Sequence, residues 1–217
     1  MRTAFHDRLD KLTCQLAAMC GMVAVAMEKA TRALLEADLG LAEEVIKADT
    51  EIDALRLHSE EAAYALLALQ APVAGDLRSI VTHIHVSEKV ERMGDLARHV
   101  AEQARRRYPE PAIPAQTRDR FAEMGRLAVV AARQVQQLIA TPGRTGYAEL
   151  NEADDLIDAL EQNLLASLSR QDWQHGVRAG IDVALLARFY ERFADQAVSV
   201  ARRLDYAATG TLPGAHG

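Results

Sequence analysis

Ala48-Asp49-Thr50-Glu51-Ile52-Asp53-Ala54-Leu55 returns 105 positions later as Ala153-Asp154-Asp155-Leu156-Ile157-Asp158-Ala159-Leu160. Further along, Glu91-Arg92-Met93-Gly94-Asp95 returns 100 positions later as Glu191-Arg192-Phe193-Ala194-Asp195, and Ala97, Val100 and Ala101 return as Ala197, Val200 and Ala201. A turn five residues shorter in the second copy accounts for the two offsets. Internal repetition on this scale marks a duplicated supersecondary unit.

Apolar residues recur at three and four positions nearly throughout, so each unit is helical. Gly and Pro divide the chain. The spacing predicts helices over residues 4–36, 41–70, 76–107, 117–140, 147–170 and 176–206. Gly40 ends the first helix in this reading. Pro72 and Gly75 make the second turn, and Asp76 is the N-cap of the third helix. The expected fold class is all-α: a tandem duplication of two three-helix bundles with six long helices. Residues 1–107 form the first bundle, 108–116 a Pro-rich linker, 117–207 the second bundle and 208–217 a disordered tail.

Composition agrees. Aromatics are 5% of the chain, and Ala and Leu, strong helix formers, carry the apolar content. The formal net charge of −6 disfavours nucleic acid and anionic lipid as partners. Arg105-Arg106-Arg107 and Arg202-Arg203 fall near helix C-termini, where cations complement exposed carbonyls. Cys14 and Cys20 point different ways on one helix and read as small buried hydrophobes. Residues 12–27 are the most apolar early stretch. They lack a clean cleavage site and run on into periodic helix, so neither a signal peptide nor a membrane span is expected, and the cytoplasm is the expected compartment.

Both repeated blocks carry two acids four positions apart, hence one turn apart on one helix face. The pairs are Asp49 with Asp53, Glu91 with Asp95, Asp154 with Asp158, and Glu191 with Asp195. With 31 acids in the chain, about four such pairs arise by chance. Asp119 with Glu123 is one more, so number decides nothing, whereas repeat-equivalent position does. Asp53 and Glu91 are each 19 positions from Pro72, and Asp49 and Asp95 each 23. In the second copy, Asp158 with Glu191 and Asp154 with Asp195 are equidistant from the point between Gln174 and His175. An antiparallel hairpin therefore sets four carboxylates at one level in each half, about 28 Å from its turn. Four such groups repel unless a cation stands among them, and oxygen-rich sites suit magnesium, manganese, calcium or iron. In the alternative reading the acids lie on solvated faces or pair with Arg92, Arg98, Arg188 and Arg192.

Glu88 has Arg188 as its repeat counterpart and His99 has Ser199, so neither joins the candidate set. His83 and His85 read as core or surface histidines, and Trp173 as packing. No glycine-rich phosphate loop or serine nucleophile elbow is present. Glu-x-x-His, the spacing of a di-iron bundle, is also missing, which argues against a redox or storage bundle. A plain helical adaptor is the other rival.

Over nearly its whole length the chain resembles the PhoU family of phosphate-transport accessory proteins. The resemblance is carried by Pro72-Val73-Ala74-Gly75-Asp76-Leu77-Arg78, by Glu91 to Asp95 and by the second copy of that segment at Glu191 to Asp195. The family's Glu(or Asp)-x-x-x-Asp motifs map onto Asp49, Asp53, Glu91, Asp95, Asp154, Asp158, Glu191 and Asp195, which the resemblance implies to be ligands of metal clusters (iron, manganese or magnesium). Phe193-Ala194 departs from the usual small-glycine pair. The resemblance further implies a regulator rather than an enzyme. Its implied role is negative control of the phosphate-starvation response and of high-affinity phosphate uptake. The implied contacts are a sensor histidine kinase and the phosphate ABC transporter ATPase subunit, and the implied assembly is a homodimer.

Overall fold

A computed structural model describes residues 2–70, 72, 74–171 and 173–211. Its α-helices are α1 (Arg2–Glu36), α2 (Leu39–Gln70), α3 (Ala74–Arg107), α4 (Arg118–Ala140), α5 (Tyr147–Leu168) and α6 (Gly176–Thr209), with a 3-10 turn at Ala115–Thr117 before α4. No strand occurs among the described residues. α1, α2 and α3 pack on one another, and so do α4, α5 and α6.

Several boundaries differ from the expectation. α1 stops at Ala37, whose φ of 53° turns the chain into the left-handed region, and Asp38 accepts the backbone N–H of Leu41 at 3.0 Å. Asp38 thus caps α2, and Gly40 lies inside that helix. α3 begins at Ala74, so Asp76 sits within its first turn and acts on the helix dipole rather than as the cap. α5 ends at Leu168, two residues early. α6 runs on to Thr209, where Gly210 closes it at φ 76°; Ala208 and Thr209 are therefore helix, not tail. Ala71 and Val73 of the expected turn, and residues 212–217 of the expected tail, lie outside the described residues.

The two bundles lie side by side, α1 along α4 and α3 along α6. One apolar cluster runs through both, from Met19 and Val23 of α1 through Val90 and Met93 of α3 and Phe121 of α4 to Tyr190 and Phe193 of α6. A smaller one, with Phe5, Leu12, Leu66 and Ile80, closes the far end of the first bundle. α1 is apolar and long enough to cross a bilayer by composition alone. Its Met19, Cys20, Val23, Met27 and Ala30 are buried against neighbouring helices, the role of a core helix. Cys20 is buried as expected, whereas Cys14 is exposed.

The contact between bundles depends on a missing side chain. A Cβ on Gly125 of α4 would stand 2.3 Å from Thr31 Cγ2 of α1. Thr31 is fixed there because its hydroxyl bonds the Met27 carbonyl at 2.8 Å and lies 2.9 Å from the Tyr190 hydroxyl of α6. Buried polar groups also join the halves. Asp182 of α6 accepts from Gln103 at 2.5 Å and from Arg107, so part of the basic run at the end of α3 serves the interface.

Candidate metal centre

Each carboxylate set lies on a hairpin whose helices pack closely. In the first, Gly94 of α3 faces α2: a Cβ there would come 3.3 Å from Ile52 Cγ2. Gly94 adjoins Asp95 and Ile52 adjoins Asp53, so the close approach lies at the level of the acids. Ala194 holds the equivalent place in α6 and is buried, 2% exposed.

Asp49, Asp53, Glu91 and Asp95 come together across α2 and α3, and arginines stand among them. Arg98 reaches Asp49 at 2.5 Å, Asp95 at 2.7 Å and Glu102 at 2.7 Å. Arg56 pairs with Glu60 at 2.8 Å and lies 3.8 Å from Glu91. Burial pushes the Asp49 carboxyl up, and Asp53 and Asp95 add to this while Arg98 opposes it. The Glu91 carboxyl is raised by burial and then by Asp95. Asp53 Oδ1 and Arg56 Nε are buried without hydrogen-bond partners.

Asp154, Asp158, Glu191 and Asp195 come together across α5 and α6 with less cationic support. Among the described residues, Arg188 is the cation paired with this set, at 2.6 Å from Glu191 and 3.8 Å from Glu161. Burial, followed by Asp158, Asp195 and Asp155, pushes Asp154 up to about 7. Burial, followed by Asp195, pushes Glu191 up to about 7 against the opposing pull of Arg188. The Asp158 carboxyl is raised as well, by burial and then by Asp195. Asp154 Oδ1 and Glu191 Oε2 are buried with no hydrogen-bond partner.

Within each set the acids act on one another across the hairpin: Asp95 on Asp49, Asp53 on Glu91, Asp195 on Asp154 and Asp158 on Glu191. The alternative pairing is realised in part, since Arg98 and Arg188 bind these acids while Arg92 turns to Glu88 at 3.3 Å. Among the described residues no three acids, histidines or cysteines already stand as a ready set of ligands around one ion. The donors nonetheless fit a hard cation: they are carboxylate oxygens, several lack a partner, and buried unpaired acceptors are costly. His99 contacts the ring of Phe189 across the bundles, 5.2 Å between centroids, and is no part of either set. His83 is buried and 2.6 Å from Ser59 Oγ. Trp173 donates its Nε1–H to the Gly176 carbonyl at 3.0 Å, a packing role. Sequence spacing does not reveal the roles of Asp182 and Asp205, because their partners Arg107, Gly146 and Tyr147 come from distant segments.

Fold and site together define a class of helical protein: two side-by-side three-helix bundles, each with an acid-bearing hairpin. The chain belongs to the PhoU family, whose domain model matches it twice, at residues 16–104 and 121–204. It is 50% identical to the phosphate-specific transport system accessory protein PhoU homolog 2 of Mycobacterium bovis, over 98% of this chain and all of that protein. It is 49% identical to PhoU homolog 1 of Mycobacterium leprae, over 98% of this chain and 96% of that one. The fold is also that of crystal structures of PhoU from Pseudomonas aeruginosa and of the phosphate transport system regulatory protein PhoU from Streptococcus pneumoniae. The first has a TM-score of 0.89 at 24% identity, covering 95% of this chain and all of that one. The second has a TM-score of 0.82 at 24% identity, covering 96% and 98%.

Proposed function

We propose that this protein is an accessory regulator of phosphate-specific transport that restrains the phosphate-starvation response when phosphate is plentiful. The observation that carries the reading is the end-to-end likeness to relatives named as phosphate-specific transport system accessory proteins. The protein acts by docking rather than by catalysis, in the cytoplasm and at the inner face of the membrane through its partners. Long paired helices offer rigid faces for a sensor histidine kinase and for the ATPase subunit of the phosphate transporter, and the chain works as a homodimer.

The carboxylate sets hold hard cations, iron, manganese or magnesium, which supply the positive charge that the converging acids lack. Orphaned oxygens on Asp53, Asp154 and Glu191 support this. The chain's own residues set the level of the acids and the spacing of the helices.

The test is expression of phosphate-starvation genes in a strain deleted for this chain and grown with abundant phosphate. Derepression that is reversed by the wild-type chain supports the reading. Silence of those genes after deletion of every copy in the organism overturns it. Metal analysis of protein purified without chelator examines the second element separately: protein that carries no metal and takes up no added iron or manganese removes the metal clusters from the proposal.

A further inference from the structure

The two carboxylate sets differ in what the chain itself places among them. Arg98 has Val198 as its counterpart in the second copy, 100 positions on, and Arg56 has Glu161, 105 positions on. Glu102, the third acid on the Arg98 guanidinium, becomes Arg202. Both internal cations of the first set are thus absent from the second, and one has become an acid. In the first set, Arg98 is three-quarters buried and takes carboxylates from both helices of the hairpin. In the second, Arg188 is more than half exposed and pairs with Glu161 and Glu191, and among the described residues it makes no ion pair with Asp154, Asp158 or Asp195. Glu191 is over nine-tenths buried, yet its Oε2 has no partner.

We propose that Arg98 is a built-in cation that occupies the first carboxylate set, so that metal ions enter the second set preferentially. This deepens the reading that the acids hold hard cations, and rests on it. A planar guanidinium bonded to carboxylates from α2 and α3 satisfies them with directional, charge-assisted hydrogen bonds. A divalent ion entering there must displace Arg98 from a half-desolvated position and leave that charge without partners, which is unfavourable. In the second set Arg188 holds one oxygen of Glu191 from a largely exposed position and leaves Oε2 without a partner, so an entering ion displaces no buried cation. Among the described residues Asp154, Asp158 and Asp195, with Asp155 beside them, form no ion pair with an arginine, and the ion supplies the positive charge there. The duplicated acids have therefore diverged into an ionic clamp between α2 and α3 and a cation-requiring site between α5 and α6.

The experiment is Mn2+ titration of the chelator-stripped full-length chain, read by the electron paramagnetic resonance signal of free Mn2+. Wild-type protein is expected to bind Mn2+ at a set that Glu191→Gln weakens tenfold or more and Asp53→Asn changes less than twofold. Arg98→Val, which installs the residue of the second copy, is expected to add a further ion or ions per chain. Should Arg98→Val fail to fold, the comparison of Glu191→Gln with Asp53→Asn still decides. Equal losses from those two variants overturn the preference while leaving metal binding intact, as does a folded Arg98→Val that gains no ion. Absence of any Mn2+ or Fe2+ binding by the wild type overturns the metal reading itself and this proposal with it.

Discussion

Asp205, four residues before the end of α6, accepts the backbone N–H of Tyr147 at 3.2 Å, and its other oxygen accepts that of Gly146 at 3.1 Å. The end of the last helix therefore caps the start of α5, whose own N-cap residue, Gly146, has no side chain to do so. The capping carboxylate comes from nearly 60 positions away and is buried, 6% exposed. Asp205→Ala should cost about 1–2 kcal/mol, with Asp205→Asn retaining part of it. Urea unfolding at neutral pH measures the loss, and hydrogen exchange should place it in the first turn of α5.

Gly125 and Thr31 should behave as a coupled pair. A methyl group at position 125 meets Thr31 well inside van der Waals contact, and Thr31 is held by Met27 and Tyr190. Gly125→Ala should therefore destabilise by about 1–3 kcal/mol despite the higher helix propensity of alanine. Thr31→Ala in the same chain should restore part of the loss. A double-mutant cycle in urea reads the coupling, and strict additivity would show that the helices simply shift apart.

His83 should make stability depend on pH. Burial holds its imidazole down at about 4, below the unfolded value near 6.5. Between these values the unfolded chain binds the extra proton. The contribution is therefore complete above about pH 6.5 and is lost as pH falls towards 4, by roughly 3 kcal/mol at most. The effect is isolated by comparing wild type with His83→Gln at pH 7 and pH 4.5: the variant should lose less on acidification. Equal losses would mean that His83 takes up its proton without unfolding.

Asp182 should be worth more to the contact between bundles than its single charge suggests. It is buried and accepts from both Gln103 and Arg107 of α3. Asp182→Ala leaves a cation and an amide unpaired and should cost about 2–4 kcal/mol, whereas Asp182→Asn should cost less. Thermal unfolding ranks the variants, and α3 and α6 should lose protection from hydrogen exchange together.

Much of this was legible in the chain. Apolar periodicity, the Gly and Pro breaks and the repeated acid blocks determined by themselves that the chain is a duplicated all-helical protein with an acid-bearing hairpin in each half, because helix rise and periodicity are local and regular. Helix ends are less legible in the chain. Gly40 suggested a stop, but the reversal falls at Ala37 and Asp38, where a side-chain cap and a left-handed residue do the work usually assigned to glycine. Membership of the PhoU family was likewise readable, from Glu91 to Asp95 and its copy.

Only the tertiary structure decided what stands among those acids. Arg98 and Arg188 were equally plausible partners by sequence, yet Arg98 is mostly buried between Asp49 and Asp95 whereas Arg188 pairs with Glu191 from a largely exposed position. It also joined the two bundles into one core through α1 with α4 and α3 with α6, and paired Asp182 and Asp205 with groups far along the chain. The physical reason is that helix periodicity determines which face a residue occupies, whereas the neighbour on that face is set by the packing of elements whose contacts have no fixed separation in sequence.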